Sequence, residues 1–581
     1  MTRIKVVISF LLLFSLSTII NAQIHNNIRK LKSKPDKNQI RDDHSYKNSD
    51  TENFTSSNLP IIVIATQGQE IPDEPKIIAD MKIIYNEAGV RNYLTNPPNH
   101  YYGKIGIEIR GSTTKWFPKK QYAVETRDVQ GNDSTVSLLG LPAEEDWVLD
   151  APYSDKSLVR NAIIFYLANQ MGRYASRTRF CELVLNGDYQ GVYVLMEKVK
   201  RDKNRVDISK LTPTDISGDA LTGGYMIKID KPDGAKIDGW ESLFLPVPGA
   251  WQRIYYQYHY PDQDEITAEQ KAYIQTFLLS YETVMSGPSY RDPQIGYAKY
   301  IDVASAVDYF ILNEVAKNVD AYRLSAFMYK DRDSKNRKLI LGPIWDYNLT
   351  FGNADYYGAQ YVSGWQVYFY QKEDTWLVPF WWGRLMADSN FVNQINSRWH
   401  ELRKNIITIP RICAFIDSLT TYLDEAQKRN FQRWPILGVY VWPNPFIGGS
   451  YAAEIRYLKQ WIQDRILWMD AKIPGTSTTV ADHQATSSSE IYALKQNYPN
   501  PFNSCKNIEY VLPGDFHVTL KIFNLQSHEI RTLIDEFQTA GAKLKSWDGT
   551  DHHGQRVSSG IYFYHLKVGE QILSRKMLLL N

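Results

Sequence analysis

A segment rich in Ser and Thr interrupts the sequence, and it constrains the fold more than any other feature. It covers residues 473–495 and has the composition of a flexible linker, as in the run Thr476-Ser477-Thr478-Thr479. Because a hydrophobic core does not continue through such a segment, the 581 residues must fold as separate units on its two sides. We predict a large unit at 58–472 and a small unit at 496–581.

Composition and charge exclude several classes of protein. Apolar residues make up 43% of the chain, which has 33 Gly, 26 Pro and 3 Cys, so collagen-like, disulfide-scaffold and wholly disordered proteins are excluded. Lys and Arg number 66 against 64 Asp and Glu. We expect no nucleic-acid partner, because neutralising phosphates requires a basic surface.

The first residues have the pattern of an export signal. Arg3 and Lys5 precede the apolar run Val6 to Phe14, which is too short and too soon interrupted by polar residues to anchor the chain in a membrane. The pattern predicts a signal peptide at residues 1–22, followed by a polar linker at 23–57. We expect no transmembrane segment after signal cleavage, because no later run is apolar for long enough.

The large unit begins with strand-like segments and continues with helix-like ones, so its predicted class is α+β. Short apolar runs of strand character extend from Ile61 to Leu195, interrupted by one predicted helix at Lys156–Met171. Thr267-Ala268-Glu269-Gln270 is a capping box that begins another helix. Further helices are predicted at Val303–Lys317, Phe391–Asn405 and Tyr451–Asp470.

The small unit consists of short strands separated by turn residues. Six such strands within residues 496–581 predict a small antiparallel β-sandwich of the immunoglobulin-like kind. The predicted strands are Ile508–Leu512, Val518–Phe523, Glu529–Ile534, Gly541–Trp547, Gly560–Val568 and Gln571–Leu580.

A polar loop between two predicted strands could hold phosphate. The loop begins with Arg110-Gly111-Ser112, and Lys119 and Lys120 open the second strand. Backbone N–H groups and hydroxyls can donate to phosphate oxygens, and a strand-borne Lys supplies a positive charge. A polar surface hairpin with two solvated lysines explains the same residues equally well.

A second polar cluster has the composition of a cation site. Asp320 follows the predicted helix Val303–Lys317, and Asp346 and Asn348 follow a predicted hairpin that ends at Gly342. Carboxylate and amide oxygens suit Mg²⁺, which also takes phosphate oxygens and water. A loop carboxylate nearby could accept a hydroxyl proton. The alternative is that these residues only cap turns.

Together the clusters supply the parts of a phosphoryl-transfer site, and residues 60 to 472 resemble the CotH family, named for a spore-coat protein kinase. Several motifs in one order carry the resemblance. They are Arg110-Gly111-Ser112 with Pro118-Lys119-Lys120, the pair Arg160-Asn161, the run LNGDYQGVYVLME from Leu185 to Glu197, and the run GPIWDYN from Gly342 to Asn348.

The resemblance implies an atypical protein-kinase-like fold. Its activity would be transfer of the γ-phosphoryl group of ATP to Ser or Thr hydroxyls of a protein substrate, assisted by Mg²⁺ or Mn²⁺. It implies that Asp320 is the catalytic carboxylate and that Lys120 acts with it on the phosphates. Asp346 would bind the metal ion, with Asn348 and Asp320 as further candidate ligands.

The same resemblance assigns residues to the nucleotide. Lys120, or its neighbour Lys119, would hold the phosphates, with Arg110 and Ser112 on the polar loop beside them. Glu197 would end the strand that lines the adenine side. Arg160 is a candidate partner for an acid in the site.

The sequence departs from the general kinase pattern, and this leaves a second function open. No His-Arg pair precedes Asp320, and Ser325 stands where the kinase loop has Asn. The alternative is a catalytically inactive surface protein on the same fold that binds glycans or peptides through aromatic platforms such as Phe380-Trp381-Trp382. A glycoside hydrolase ranks last, because no pair of carboxylates can be assigned to one site.

The small unit resembles the C-terminal sorting domains of type IX secretion cargo in Gram-negative bacteria. The matching residues are Gln496–Asn503, Trp547-Asp548-Gly549 with Gly554, Ser558–Tyr564 and Lys576–Leu580. The resemblance implies passage through the periplasm and the outer membrane, contact with the type IX machinery, and a secreted or cell-surface location. The alternative is an ordinary β-sandwich adhesion module, because the same fold serves both purposes.

Overall fold

The structure is a computed structural model, and the chain divides into two compact units, the second beginning at Ser477. The predicted signal peptide, most of both predicted linkers and the run Gln496–Asn503 lie outside the described residues. The structure describes residues 54–232, 238–371, 374–473, 493–494, 506–512, 516–524, 528–539, 541–568 and 571–579.

The first unit contains strands and helices, as predicted. Its strands are β1 (Ser56–Ser57), β2 (Ile61–Ala65), β3 (Ile77–Ile84), β4 (Asn92–Tyr93), β5 (Tyr101–Ile109), β6 (Tyr122–Arg127), β7 (Asp146–Asp150), β8 (Thr178–Leu185), β9 (Asp188–Glu197), β10 (Tyr225–Ile229), β11 (Gly239–Glu241), β12 (Tyr255–Tyr260), β13 (Ala326–Lys330) and β14 (Leu339–Leu341). Its α-helices are α1 (Arg160–Gln170), α2 (Gly218–Leu221), α3 (Ala268–Ser286), α4 (Val303–Ala316), α5 (Asp333–Asn336), α6 (Phe380–Met386), α7 (Ser389–Asn405), α8 (Ile409–Arg433) and α9 (Tyr451–Lys472).

Seven strands close into a barrel in the order β2-β3-β5-β6-β7-β9-β8. Neighbouring strands are antiparallel except β2 and β8, which are parallel. Burial alternates along β6, where Tyr122, Val124 and Thr126 are buried, because successive side chains point to opposite faces of a strand. Strand β5 ends at Ile109 and β7 at Asp150, and both residues line the cleft described below.

A five-stranded antiparallel sheet follows, in the order β11-β12-β10-β13-β14. The predicted hairpin is confirmed, because Met328 of β13 pairs with Leu341 of β14. Buried residues of this sheet share one large hydrophobic core with residues of α1, α3, α4 and α6 to α9. The core fixes α4 and the hairpin, the two elements that precede the predicted catalytic and metal-binding loops.

Helix α1 begins later than predicted. The predicted start was Lys156, but Leu158 has a left-handed backbone (φ 66°) that a right-handed helix does not accommodate. The Asp155 carboxylate holds this turn by accepting from the backbone N–H of Ser157 at 3.1 Å and of Arg160 at 2.9 Å. The helix therefore starts at Arg160.

Other helices lie close to their predictions. The capping box at Thr267 is confirmed, since its hydroxyl accepts from Gln270 N and the Gln270 side chain accepts from Thr267 N. The 25-residue helix α8 was not predicted. Its buried side chains include Ile412, Ile416 and Leu423, an apolar stripe at helical spacing that the sequence contained.

The predicted aromatic platform at Phe380-Trp381-Trp382 is wrong for its two tryptophans. Trp381 and Trp382 are only 2% and 1% exposed, because both pack into the core of the first unit. Buried rings cannot present a surface to glycan or peptide.

The described residues of the second unit form two antiparallel sheets around one core. One sheet has the order β15-β16-β19 and the other β18-β17-β20-β21, and both contribute to a shared hydrophobic cluster. The strands are β15 (Ala493–Leu494), β16 (Lys506–Leu512), β17 (Phe516–Asn524), β18 (Glu529–Gln538), β19 (Gly541–Trp547), β20 (Gly560–Val568) and β21 (Gln571–Leu579). The six predicted strands correspond to β16 through β21, and the α+β class of the whole chain is confirmed.

Among the described helices, a membrane span would have to be both long and apolar. None of them meets both requirements alone. Helices α7 and α8, which meet at a bend of 56°, do so only as a pair, by length and composition.

A fully buried ion pair joins three segments of the first unit. Arg465 of α9 donates to the Glu314 carboxylate of α4 at 3.0 Å, and both side chains have 0% exposure. The same carboxylate accepts from the backbone N–H of Gln366 at 2.9 Å and of Val367 at 2.8 Å. The pair therefore fixes the end of α4 against α9 and against the segment that carries Gln366.

We predict that Glu314→Gln lowers the free energy of unfolding by about 3–5 kcal/mol, because the Arg465 charge would stay buried without its counter-charge. Urea unfolding followed by circular dichroism measures the change. Asp424→Asn, at an exposed ion pair with Lys428, is the matched control and should change stability by less than about 1 kcal/mol. Equal effects of the two substitutions would contradict the prediction.

Candidate active site

A cleft of about 400 Å³ is lined by the barrel, the five-stranded sheet and their loops. It contains five of the predicted site residues, which come from three separate parts of the sequence. They are Arg110, Ser112, Asp320, Asp346 and Asn348.

Asp320 lies on the loop that follows α4. The helix ends at Ala316 and is capped by Lys317, whose left-handed backbone (φ 44°) redirects the chain. The Lys317 ammonium donates to Gly358 O at 2.8 Å and Tyr361 O at 2.7 Å. The Asp320 backbone N–H then donates to Asn318 Oδ1 at 3.1 Å. Burial raises the pKa of the Asp320 carboxyl, with Arg323 opposing the shift.

Arg323 holds the Asp320 carboxylate from one side. Its Nη2 donates to Asp320 Oδ1 at 3.2 Å, and its Nη1 donates to Trp376 O at 2.9 Å. The guanidinium lies over the rings of Tyr357 and Phe369, 5.4 and 4.7 Å from their centroids. Because Arg323 is only 3% exposed, it orients the carboxylate rigidly.

Asp346 lies just past β14 with a left-handed backbone (φ 62°), which residues other than Gly adopt only when their surroundings impose it. Tyr347 supplies that constraint, since its N–H donates to Asn161 Oδ1 at 2.8 Å and its hydroxyl to Asn313 Oδ1 at 2.6 Å. The Asp346 side chain is exposed to the cleft, yet the surrounding protein desolvates it and raises its pKa to about 6. The Asp320 charge adds to the shift and Arg110 opposes it.

Arg110 and the loop after it form the opposite wall. The Arg110 guanidinium lies 5.5 Å from the Trp345 ring centroid, and burial lowers its pKa. Gly111 has φ 96°, and a Cβ there would lie 2.0 Å from Thr114 Oγ1, so only Gly fits this turn. The turn brings Ser112 to the cleft beside a positive charge.

Asp150 is a cleft residue that sequence reasoning missed. It ends β7, is 5% exposed and accepts from Gln121 Nε2 at 2.7 Å and from Asn161 Nδ2 at 3.3 Å. Burial raises the pKa of its carboxyl. The sequence contained a weak signal, an acid that closes a strand of apolar residues.

The structure places both predicted lysines outside the cleft lining. Lys119 is 1% exposed, and its ammonium donates to Val192 O at 2.5 Å and to Asn430 Oδ1 at 2.8 Å. Burial lowers the pKa of Lys119 to about 7. Lys120 is half-buried and donates to Lys115 O at 2.8 Å.

Glu197 and Arg160 are also held in structural contacts away from the cleft lining. Glu197 has 0% exposure and binds Arg177 at 2.6 Å. Arg160 is 1% exposed, pairs with Asp155 at 2.5 Å and donates to Thr350 O at 3.0 Å. Neither side chain lines the cleft, and both stabilise the surrounding fold.

The donor set in the cleft fits a cation that is shared with phosphate. Among the described residues, no group of three or more His, Cys, Asp or Glu side chains is close enough to hold a metal ion alone. Asp346, Asn348 and Asp320 do line one cleft with Arg110. Mg²⁺ commonly uses one or two carboxylates together with substrate phosphates and water, so the cleft fits Mg²⁺ with a phosphate-bearing ligand.

The chain matches a known protein family over more than half of its length. The model of a family described as CotH kinase protein matches residues 107–469. No curated protein matches the chain.

Two solved structures show weak similarity. Dimeric latent PorU from Porphyromonas gingivalis is 15% identical over 16% of this chain and 10% of that chain, with a TM-score of 0.15. The alkylpurine DNA glycosylase AlkC of Pseudomonas fluorescens, bound to DNA with an abasic-site analogue, is 12% identical over 34% of this chain and 50% of that chain, with a TM-score of 0.13. Scores this low carry no argument about the fold.

The contacts of the two lysines predict different effects of substitution. Lys119→Met should lower the free energy of unfolding by about 1–3 kcal/mol, because it leaves the buried Val192 O without its donor and leaves Asn430 Oδ1 with only the Val192 N–H at 3.1 Å. Lys120→Met, its matched control, should change stability by less than about 1 kcal/mol. Urea unfolding of both variants tests this, and a Lys119→Met protein of unchanged stability would show that the buried contacts do not fix this residue.

Proposed function

Because the chain belongs to the CotH kinase protein family, we propose that its first unit is a kinase-like enzyme that transfers the γ-phosphoryl group of ATP to Ser or Thr hydroxyls of a protein. The observation that carries the proposal is the meeting of Asp320 and Asp346 in one cleft with Arg110. Phosphoryl transfer needs carboxylates for cations and for the attacking hydroxyl, and positive charge for the phosphates. This cleft contains each of these groups.

Asp346 and Asn348 would hold the divalent cation, Mg²⁺ or Mn²⁺. A bound cation neutralises charge on the phosphate oxygens. Asp346 is suited to this because its carboxylate is exposed to the cleft while its backbone is fixed through Tyr347. Arg110 faces the same space and would bind phosphate oxygens, with the Ser112 hydroxyl as a neutral donor.

Asp320 would act on the acceptor hydroxyl. Its carboxylate takes the proton of the Ser or Thr O–H as that oxygen forms the new bond to the γ-phosphorus. The bond between the γ-phosphorus and its bridging oxygen breaks, and ADP leaves with that oxygen. Arg323 keeps Asp320 in place during this step by binding Oδ1 at 3.2 Å.

The first experiment uses the purified full-length chain with ATP and Mg²⁺ or Mn²⁺. Asp346→Asn should weaken binding of the metal–nucleotide complex, because the cation loses its charged ligand. Asp320→Asn should retain binding and lower phosphate incorporation by about 10²–10⁴-fold, because the hydroxyl loses its proton acceptor. Calorimetry measures binding, and labelled phosphate measures transfer.

The exposed Asp424→Asn variant is the control and should behave as wild type. A folded wild-type protein that binds no nucleotide with either metal would contradict the proposal. It would favour the alternative of an inactive surface-binding protein.

Cation binding should depend on pH through Asp346. Its pKa is raised to about 6, so the carboxylate is charged at pH 7 and mostly protonated at pH 5. Because a protonated carboxyl is a poor ligand, Mn²⁺ affinity in the presence of a nonhydrolysable ATP analogue should fall about tenfold between pH 7 and pH 5. Calorimetry at both pH values measures it. Asp346→Asn should bind weakly and without this dependence, and an equal pH dependence in that variant would assign the effect to another group.

We propose for the second unit a role as a type IX sorting domain, on the residues that resemble such domains. Two of them meet in its core, since the buried Trp547 packs edge-on against Tyr562 with ring centroids 5.3 Å apart. With the signal-like start at Arg3 and Lys5, this predicts export through the periplasm to the surface or medium. The type IX machinery would be the partner.

Expression in a Gram-negative host with type IX secretion tests the sorting proposal. The full chain should reach the medium or cell surface, and a chain that ends at residue 473 should stay in the periplasm. Cell fractionation measures the difference. Equal export of both forms would contradict the sorting role.

A further inference from the structure

One buried carboxylate organises both walls of the cleft. Both oxygens of Asp150 are used by side-chain amides, Oδ1 by Gln121 Nε2 at 2.7 Å and Oδ2 by Asn161 Nδ2 at 3.3 Å. An ionised carboxylate only accepts hydrogen bonds, so it requires the NH₂ end of each amide to face it. Asp150 therefore determines which way both amides point.

The carbonyl oxygens of the two amides accept hydrogen bonds from Arg110 and from the backbone next to Asp346. Gln121 Oε1 accepts from Arg110 Nη1 at 3.4 Å, and Asn161 Oδ1 accepts from Tyr347 N at 2.8 Å. If either amide turned over, its NH₂ group would face another donor, and the bond would be lost. One carboxylate thus reaches Arg110 through Gln121 and the backbone beside Asp346 through Asn161.

The second of these connections bears on a strained position. Asp346 has a left-handed backbone, and the N–H that Asn161 binds belongs to the next residue. A bond at that N–H helps to hold the peptide plane, and so helps to fix the direction of the Asp346 carboxylate. The three connected residues come from β7, α1 and the loop after β14, so no single element provides this control.

Charge adds to the same arrangement. Arg110 interacts electrostatically with both Asp346 and Asp150. With Asp150 present, the guanidinium is attracted by two carboxylates and not by Asp346 alone. Asp346 then keeps its carboxylate available to a cation.

We propose that Asp150 is a positioning residue that sets Arg110 for phosphate and Asp346 for the cation by fixing the orientation of Gln121 and Asn161. This rests on the proposed function. Asp150 does not touch the reacting atoms in this proposal; it acts through the two amides. A residue that merely satisfies buried polar groups would stabilise the protein without controlling ligand binding.

The test replaces the carboxylate with its isosteric amide in the full-length chain. The amide introduced by Asp150→Asn would offer only one acceptor oxygen, so one of the two neighbouring amides must turn or lose its bond. The substitution should weaken Mn²⁺ binding in the presence of a nonhydrolysable ATP analogue by about 10–100-fold, the range for loss of an outer partner of a metal ligand. It should also speed amide hydrogen exchange in peptides that cover residues 345–349.

The double variant Asp150→Asn with Asn161→Asp is the matched rescue. In it, the new amide at position 150 can accept from Gln121 and donate to the new carboxylate at position 161. That carboxylate can still accept from Tyr347 N. The double variant should therefore recover binding to within about threefold of wild type and slow the exchange again. Asn161→Ala, at a half-buried position, removes one connection and keeps the inference testable if Asp150→Asn does not fold.

Two results would overturn the inference. One is wild-type binding and exchange in Asp150→Asn, or in Asn161→Ala. The other is a double variant that is as defective as Asp150→Asn at equal thermal stability, since restoring the hydrogen-bond directions would then not restore binding. If the wild type binds no nucleotide, the proposed function is contradicted instead. The hydrogen-exchange data would then still test whether Asp150 orients Gln121 and Asn161.

Discussion

The first unit depends on a buried ion pair at the point where helix and loop meet. Glu314 and Arg465 have no exposure, so each charge needs the other, and the backbone N–H groups of Gln366 and Val367 complete the carboxylate. This fixes the last turn of α4. Asp320 lies only a few residues beyond this turn. Because the turn is fixed, the start of the loop that carries Asp320 is fixed as well.

Two carboxylates of the cleft, Asp346 and Asp150, lie in different environments. Asp346 is exposed to the cleft although desolvation raises its pKa, whereas Asp150 is buried and fully bonded by amides. The Arg110 charge opposes the rise in pKa of both carboxyls. The same chemical group therefore serves two purposes, one facing a ligand and one fixing the residues that surround it.

Much of the fold followed from local patterns. The strands of the second unit and the barrel strand β2 were predictable because alternating or short apolar runs have few alternatives. The start of α1 and the helix α8 were not. Leu158 adopts a left-handed backbone because the Asp155 carboxylate holds the turn. Nothing in the identity of a leucine predicts that conformation. Helix α8 has an apolar stripe at helical spacing, but many polar residues separate the apolar ones along the sequence, and the helix was not predicted.

The sequence by itself determined the order of the elements, the family, and the placement of Asp320 and Asp346 on loops, because these depend on neighbouring residues and on motif spacing. Only the tertiary structure decided which charged residues face the cleft. The buried Lys119 ammonium donates to Val192 O and to Asn430 Oδ1. Asn430 lies 311 residues later, so no local pattern contains that acceptor. The direction of a long charged side chain is decided by which distant acceptors the fold brings near it, and this is set only when the chain has packed.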